Sequence, residues 1–400
     1  MKPRVLFLDH TGTLGGAELF LLDVALHHVG SSSVLLFADG PFRERLEREG
    51  VAVKVLPASH FVSGIKREGS GMRDLWAVPA VLRLGWRVAR IARGYDVLYA
   101  NSQKAFVVSA LAGKIAGKPV IWHLHDALTA EHFSRGHRYL VVALANYLAV
   151  RVIANSRATA EAFARSGGKA ERVSVVYNGI DPEPFDSVTP AEVDSLREEL
   201  GLAASLVIGA FSRLAPWKGQ HVLLEALTRL PGVHILLVGE ALFGEQAYAR
   251  ALRKRAEELG VADRVHFLGF REDVPRLMRV SDVVAHASVA SEPFGRMIVE
   301  GMLARKPVVA SRAGGTTEIV EDGVSGILFP PGDTSALTGA LAGLLADPSK
   351  RRALAEAGRA VASEYFSLEA MLEGVARHIR EVVTSRQQRG AGRFVGRKGS

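Results

Sequence analysis

The chain contains no cysteine, although it is 400 residues long. This absence excludes a disulfide framework, a thiolate nucleophile and any metal site built on cysteine, and it fits a reducing compartment. A long hydrophobic segment is also missing. The longest apolar run, Tyr139–Val150, lies between two arginines and is shorter than the roughly 20 residues that a membrane-spanning helix needs, so we interpret it as a buried helix. The start, Met1–Leu8, predicts a strand and not a signal peptide, and we expect a cytoplasmic protein.

Acidic residues are in the minority, since 42 acids stand against 50 Lys and Arg and the formal net charge is +8. Five basic residues occupy a glycine-rich C-terminal stretch that has no acid, and subtracting them leaves +3 for the rest of the chain. We predict that residues 385–400 form a disordered basic tail, and we expect no nucleic-acid partner. A weak peripheral contact with an anionic inner membrane face stays open. The five residues are Arg386, Arg389, Arg393, Arg397 and Lys398.

Short runs of Val, Ile and Leu alternate with longer segments of helical periodicity. Continuous β-branched runs are typical of strands covered on both faces, and their alternation with helices predicts right-handed βαβ units and parallel sheets. The predicted strands of the first half are Val5–Leu8, Val34–Phe37, Val51–Val55, Val97–Ala100, Val120–His123, Val152–Ala154 and Val173–Val176. Those of the second half are Leu206–Phe211, Val233–Val238, Val265–Leu268, Val283–His286, Val308–Ala310 and Gly326–Phe329.

The stretch Asp181–Thr189 holds two prolines and little periodicity, so we interpret it as a linker. It separates an N-terminal domain, residues 1–183, from a C-terminal domain, residues 190–364, and a helix over residues 365–384 is expected to cross back to the first. Ligands of open parallel sheets bind at the carboxyl ends of the strands. We therefore predict an α/β protein with two Rossmann-like, doubly wound domains that face an interdomain cleft.

The segment after the strand Val283–His286 combines a loop, a glycine and a helix start. Gly295 lets a ligand approach the backbone closely, and the N-terminus of the next helix offers unpaired amides that suit a diphosphate. Glu292 precedes this helix and Glu300 lies more than one turn inside it. Two such carboxylates can accept hydrogen bonds from hydroxyl-bearing parts of one ligand on either side of its phosphates. A solvated helix with a stray buried glutamate is the alternative interpretation.

Two cations, Arg213 and Lys218, follow the strand Leu206–Phe211 within one loop. Arg offers a planar fork and Lys a point charge, so the pair can neutralise a departing diphosphate, although such pairs are more often plain surface features. The first strand is followed by the glycine turn Gly12–Glu18. This turn lacks the third glycine of the dinucleotide fingerprint, which disfavours a dehydrogenase.

Two histidines, His123 and His125, stand at the end of a predicted strand, and we expect them to point to opposite faces of the sheet. A zinc site would need a third ligand, and we identify none in the sequence. The basic stretch Met72–Arg93, which includes Trp76 and Trp86, predicts a helix packed on the sheet, with a membrane-touching amphipathic helix as the alternative.

Together these motifs resemble glycosyltransferase family 4, whose members have the GT-B fold and retain the anomeric configuration. The resemblance extends from Arg4 to about Arg380 and is most specific in the second half. It implies that Glu292 contacts the transferred sugar, that Glu300 binds the ribose, and that Lys218 and Arg213 hold the phosphates. The further donor-binding residues that it implies are Gly15, Gly16, Phe270, Arg271, Phe294, Gly295, Arg296, Met297 and Ile298.

The same resemblance assigns polar contacts with the sugar or the acceptor to His125, which joins Arg213, Lys218 and Glu292 as a catalytic candidate. Asn101 and Asp126 are acceptor-binding candidates beside it.

The implied activity is retaining transfer of a hexosyl group from a UDP- or GDP-sugar to a glycan, lipid-linked or small-molecule acceptor, in cell-surface glycan biosynthesis. The sequence has no Asp-x-Asp motif, the usual magnesium anchor of the other large glycosyltransferase fold, so we predict that no metal or other cofactor is required. A nucleotide-sugar 2-epimerase of the same fold and a non-catalytic sugar-nucleotide-binding protein are the alternatives.

Overall fold

The computed structural model describes residues 2–58, 78–242 and 244–395. These residues form two compact units. Unit 1 comprises the chain up to Asn178 together with the chain from Glu369 onward, and unit 2 comprises Gly179–Leu368. The first part of the basic stretch, including Trp76, lies outside the described residues.

Unit 1 is built on a parallel seven-stranded sheet. Its strands are β1 (Val5–Asp9), β2 (Ser33–Leu36), β3 (Val53–Val55), β4 (Val97–Ala100), β5 (Val120–Leu124), β6 (Arg151–Ala154) and β7 (Val173–Val175), in the order β3-β2-β1-β4-β5-β6-β7. Its helices before the linker are α1 (Gly16–His27), α2 (Pro41–Arg48), α3 (Val78–Ala92), α4 (Gln103–Ala116), α5 (Arg135–Leu148) and α6 (Arg157–Arg165). Every residue of β1, β4 and β5 is buried, as expected of strands covered on both faces.

Unit 2 repeats this architecture with a parallel six-stranded sheet. Its strands are β8 (Leu206–Phe211), β9 (Val233–Val238), β10 (Val265–Gly269), β11 (Val283–His286), β12 (Val308–Ser311) and β13 (Ile327–Phe329), in the order β10-β9-β8-β11-β12-β13. Its helices are α7 (Glu183–Asp186), α8 (Pro190–Glu199), α9 (Gln220–Leu227), α10 (Gln246–Glu258), α11 (Val274–Val280), α12 (Arg296–Leu303), α13 (Thr316–Ile319), α14 (Thr334–Ala346) and α15 (Pro348–Tyr365).

The predicted fold class of two doubly wound parallel sheets is confirmed. All predicted strands are present, and no strand bound shifts by more than two residues. The strand order reverses between β1 and β4 in unit 1 and between β8 and β11 in unit 2. In sheets of this kind the loops that leave the two strands at the reversal diverge to opposite faces, and the crevice between them is the usual ligand site.

The C-terminal helix α16 (Leu368–Val395) continues into the segment that we expected to be a disordered tail. Its Val382 and Val383 are buried, and the guanidinium of Arg386 donates to the carbonyl of Gly117, so the helix is anchored on unit 1 up to that point. The helix continues beyond this anchor to Val395, although Gly390 and Gly392 are poor helix formers. Residues 396–400 of the predicted tail lie outside the described residues.

Helix α5 differs from the buried helix that we expected over Tyr139–Val150. It buries Val141 and Val142, whereas Tyr139 and Tyr147 are 74% and 81% exposed. The run is therefore a surface helix that buries only one side, because its apolar residues are spread around the helix and those on the outer side stay exposed. Within the described residues, no helix is both long and apolar enough to cross a membrane.

Candidate active site

The cationic loop of unit 2 leaves β8 at the strand-order reversal. Lys218 ends a short 3-10 turn, and its ammonium lies 4.1 Å from the ring centre of Trp217. The guanidinium of Arg213 lies 5.6 Å from the centre of the same ring. Arg213 also pairs with Glu245 at 3.6 Å. Both cations therefore lie against one indole ring, and the two residues that were predicted as a pair are close together in unit 2.

Glu292 lies in the loop that leaves β11, the neighbouring strand across the reversal. Its carboxylate oxygen Oε2 accepts from Lys218 Nζ at 2.7 Å, and it also lies 2.9 Å from Nε2 of His286 and 3.1 Å from Oγ of Ser288. Burial opposes the ionisation of Glu292, yet the charge of Lys218 and the hydrogen bond from His286 outweigh it and hold the pKa of this carboxyl well below its usual range. Glu292 is therefore an ionised carboxylate in a nearly water-free position.

Glycines bring these two loops together. Gly219 follows Lys218 with a φ of +69°, and a Cβ there would lie 1.9 Å from the carbonyl oxygen of Ala287, so only glycine fits. On the other side, Gly314 has a φ of +66° and meets the carbonyl of Glu292 in the same way, at 2.2 Å from a Cβ. The loop that carries Glu292 is clamped between two backbone segments that tolerate no side chain at these points.

Helix α12 begins directly after this loop. Gly295 precedes it with a φ of +107°, and the amide of Ile298 already donates to the carbonyl of Gly295 at 2.9 Å. Arg296 and Met297 therefore supply the first-turn amides that lack an intrahelical partner. The ring of Phe294 is buried edge-on against Phe366 at 5.6 Å, so this side chain anchors the loop.

The remaining donor-binding candidates occupy neighbouring positions of unit 2. Glu300 projects from the second turn of α12 and pairs with Arg296 at 3.4 Å. At the end of β10, Phe270 is 53% exposed, and its amide lies 3.4 Å from the Glu240 carboxylate. Arg271 forms two hydrogen bonds with Asp273, at 2.7 and 2.6 Å, so its guanidinium is already engaged.

In unit 1 a polar chain crosses the other strand-order reversal. Asp9, the last residue of β1, accepts from Asn101 Nδ2 at 2.6 Å, and Asn101 Oδ1 lies 3.0 Å from Nε2 of His125. The same Nδ2 donates to the carbonyl of Ala17 at 2.9 Å, so both of its contacts are acceptors and the orientation of the amide is determined. The Oδ1 atom must accept from His125, which therefore carries a proton on Nε2.

Two buried acids near this reversal have pKa values that are shifted in opposite directions. Burial opposes the ionisation of Asp9, but the hydrogen bonds and charge of His10 and the hydrogen bond of Asn101 prevail and lower its pKa. Burial, reinforced by the charges of Asp9 and Asp126, raises the pKa of Glu18 well above its ordinary value. Glu18 lies in the first turn of α1, two residues after Gly16, so its buried carboxyl group lines the glycine turn.

The expectation that His123 and His125 point to opposite faces is wrong. Their rings stack at 4.3 Å with an angle of 12°, because side chains two residues apart along a strand share a face. Burial lowers the pKa of His123 well below its ordinary value, so this ring is a neutral packing partner of His125 and Phe20.

Sequence reasoning missed the partners that complete both clusters. His286 and Ser288 were seen only as part of a strand end, and Asp9 and His10 were not singled out. A polar residue at the last position of a buried apolar strand was the available signal, since both Asp9 and His286 occupy such a position. In the part of the chain that the structure describes, no group of three or more His, Asp or Glu residues could hold a metal ion.

Two family models each match one half of the chain. The model described as Glycosyltransferase Family 4 matches residues 14–184, and the model described as Glycosyl transferases group 1 matches residues 193–361. The D-inositol 3-phosphate glycosyltransferase of Stackebrandtia nassauensis is 30% identical over 378 residues, which are 86% of this chain and 82% of that protein. The enzyme of the same name from Mycolicibacterium smegmatis is 31% identical over 296 residues, 73% of this chain and 59% of that protein. The chain spans about three fifths of the length of several curated relatives that it matches.

Solved structures show the same relationship. The crystal structure of Anabaena HepE in complex with UDP and glucose is 44% identical, with a TM-score of 0.87 over 95% of this chain and 100% of that one. Sucrose-phosphate synthase from Thermosynechococcus elongatus, 20% identical with a TM-score of 0.80 over 96% of this chain and 100% of that one, shares the fold. The architecture is that of the GT-B glycosyltransferases. Within that class the chain belongs to glycosyltransferase family 4.

Proposed function

We propose that this protein is a retaining glycosyltransferase that transfers a hexosyl group from a UDP-sugar to an acceptor, with UDP-glucose as the first donor to test. The observation that carries the proposal is the cluster of Lys218, Glu292 and His286 at the strand-order reversal of unit 2, beside the start of α12. We choose a UDP-sugar because the chain is similar to Anabaena HepE, whose crystal structures contain UDP, UDP and glucose, or UDP-glucose.

The reaction breaks the bond between the anomeric carbon and the diphosphate oxygen, and its electron pair leaves with the diphosphate. Fixed positive groups stabilise this developing charge better than reorienting water does. Lys218, Arg213 and the first-turn amides of α12 are the groups that we propose for that task. The acceptor oxygen attacks from the face that the diphosphate leaves, and its proton passes to the departing phosphate, so that configuration is retained.

Glu292 has two tasks in this proposal. Its carboxylate is ionised and accepts from Lys218 and His286, so it both orients the lysine and offers its remaining oxygen to hydroxyl groups of the sugar. Glu300 is proposed to bind the ribose from the second turn of α12. Its pairing with Arg296 at 3.4 Å would then open when the donor binds.

Unit 1 is proposed to bind the acceptor through the chain of Asp9, Asn101 and His125. His125 directs Nε2 toward Asn101, and this hydrogen bond sets the rotation of the ring. In this role His125 and Asp126 position the acceptor and need not remove its proton. Cytoplasmic location and independence of metal stay predictions.

A coupled assay of UDP release with NMR analysis of the product tests the proposal. UDP-glucose is incubated with a panel of glycan acceptors and with D-inositol 3-phosphate, the compound in the name of several curated relatives. Lys218→Ala should lower turnover by roughly 10²–10³-fold, as expected for loss of a charge-stabilising group, and Glu300→Ala should weaken donor binding. Lys254→Ala, whose side chain is 77% exposed on α10, is the matched control.

The outcomes are distinct. An α-linked product from the α-linked donor supports retention, whereas a β-linked product refutes it. Isomerised UDP-sugar in the absence of any acceptor would point to an epimerase instead. Wild-type rates in both Lys218→Ala and Glu300→Ala would overturn the site assignment.

A further inference from the structure

A cavity of about 540 Å³ opens on unit 1 between the start of α5 and the end of α6. We call it the arginine pocket, because three of its six lining residues are arginines. The lining residues are Arg135, Gly136, Arg138, Tyr139, Arg165 and Ser166. None of them belongs to the polar chain of Asp9, Asn101 and His125.

The positive charge of this pocket is poorly balanced. Arg135 and Arg138 lie one turn apart on α5, so their side chains project from the same side of the helix. Within the described residues, neither forms an ion pair with an acid, and Nε of Arg138 is buried without a hydrogen-bond partner. Arg165 has one acidic neighbour, Glu161 at 3.1 Å, in a pair that is 67% and 66% exposed. Three like charges around one hollow repel each other, and a bound anion would relieve that repulsion.

The backbone adds to this charge. Ser134 caps the N-terminus of α5 through the amide of His137, so the amides of Arg135 and Gly136 remain among the unpaired donors of the first turn. Apart from its chain neighbours and the backbone of its own helix, no described atom lies within 4 Å of where a Cβ of Gly136 would be, so the surface beside this backbone is open to an anion.

The pocket adjoins the loop that carries the acceptor-binding candidates. Ser166, one of its lining residues, donates to the carbonyl of Leu128 at 3.1 Å, and Leu128 follows His125 and Asp126 in the same loop. The volume exceeds that of one phosphate, and it falls in the range of about 300–1,000 Å³ that small-molecule sites occupy. A group attached to the phosphate therefore has room beside it.

We propose that the arginine pocket binds a phosphate group carried by the acceptor. The proposal rests on the proposed function for its second half, since an acceptor exists only if the protein is a transferase. Planar guanidinium forks match phosphate oxygens in pairs, and three forks around one hollow favour a multiply charged phosphate over a single carboxylate.

The first test locates binding by chemical protection. Phenylglyoxal modification of each arginine is followed by mass spectrometry with and without inorganic pyrophosphate, in the Lys218→Ala background so that the proposed donor site contributes little. Modification of Arg135 and Arg138 should slow by about fivefold or more, whereas the exposed Arg83 and Arg87 of α3 should react as before. Equal rates with and without pyrophosphate at Arg135 and Arg138 would overturn the proposal.

The second test measures affinity. In the same Lys218→Ala background, the double variant Arg135→Ala/Arg138→Ala should bind pyrophosphate at least about tenfold more weakly by calorimetry, because two charge-assisted hydrogen bonds at a solvent-accessible site are removed. Arg83→Ala/Arg87→Ala removes the same charge elsewhere on unit 1 and should leave the affinity unchanged. An equal loss in both variants would show a general charge effect and refute a built pocket.

The source of the phosphate is separated by a third comparison. Vesicles that contain phosphatidic acid should retain the wild type and release the Arg135→Ala/Arg138→Ala variant if the phosphate is a lipid headgroup. Binding of phosphate in solution, without retention by vesicles, assigns a soluble phosphorylated acceptor. If pyrophosphate protects Arg135 and Arg138 but the protein transfers no sugar, the proposed function is refuted and the pocket is not. If the protein transfers sugar to a phosphorylated acceptor and the double variant has an unchanged KM for it, this inference is refuted and the proposed function is not.

Discussion

The pair of Lys218 and Glu292 should be strongly coupled in the stability of unit 2. Its atoms lie 2.7 Å apart, and the two side chains are only 14% and 9% exposed. Removing one partner of a buried ion pair costs about 3–5 kcal/mol, because the other charge remains buried. His286 and Ser288 still hydrogen-bond the carboxylate in Lys218→Met, so we expect the lower end of that range, about 3 kcal/mol.

A double-mutant cycle isolates the coupling. Lys218→Met, Glu292→Gln and the combined variant are unfolded in denaturant, and we expect a coupling free energy of about 2 kcal/mol. The control cycle uses Arg255 and Glu225, which pair at 3.2 Å but are 44% and 37% exposed, so its coupling should stay below about 1 kcal/mol. Equal coupling in the two cycles would refute the claim that burial makes the pair of Lys218 and Glu292 strong.

The same cycle has a pH dependence whose sign follows from the depressed pKa of Glu292. The folded value lies below the ordinary value of 4.5, so the stability that this carboxylate confers is complete above that pH. It should decline progressively as the pH falls below 4.5, because the unfolded chain binds the proton first. A coupling that grows as the pH falls would contradict the assignment.

Further predictions concern Gly219, the buried Glu18, the polar chain of Asp9, Asn101 and His125 in unit 1, and the metal requirement. Gly219→Ala should destabilise unit 2 by about 2 kcal/mol or more through its clash, whereas Gly232→Ala, with the same φ of +69° and open space around it, should cost only the backbone strain of about 1 kcal/mol; equal thermal shifts would contradict this. Glu18 has a raised pKa, so its stability contribution is present below pH 4.5 and is lost as the pH rises through the folded value; Glu18→Gln should match the wild type near pH 4 and melt at a higher temperature at pH 8. His125 should show a proton on Nε2 in ¹⁵N NMR, and Asn101→Leu should produce a mixture of tautomers; an unchanged His125 spectrum in this variant would refute the claim that Asn101 fixes the tautomer. Treatment with EDTA should leave the transfer rate unchanged, and a loss that magnesium restores would overturn the prediction of metal independence.

The fold was predictable from local sequence, because strands such as Leu206–Phe211 are continuous apolar runs and need no partner to be recognised. The loop before α12 was also predictable, because Glu292 and Gly295 are close to each other in the sequence. The direct contacts of Glu292 were not, because the sequence does not say which strand ends become neighbours, and only the family resemblance had assigned Lys218 and Glu292 to one donor site. Lys218 is 74 residues away from Glu292, and only the order of β8 and β11 brings them together.

The errors have equally local causes. His123 and His125 were placed on opposite faces although a strand repeats every two residues. The tail was expected to be disordered because of its glycines and missing acids, but α16 is anchored on unit 1 by Arg386 and runs on to Val395. The run Tyr139–Val150 was taken as buried from hydrophobicity alone, without asking whether its apolar residues share one face of a helix.

Calorimetric titration of UDP into the wild type and into Arg213→Ala/Lys218→Ala tests the central claim most directly. If these cations and the start of α12 grip a nucleoside diphosphate, the wild type should give a saturable heat and the double variant should bind at least about tenfold more weakly. A wild type that gives no heat, or a double variant that binds UDP as tightly as the wild type, would contradict it.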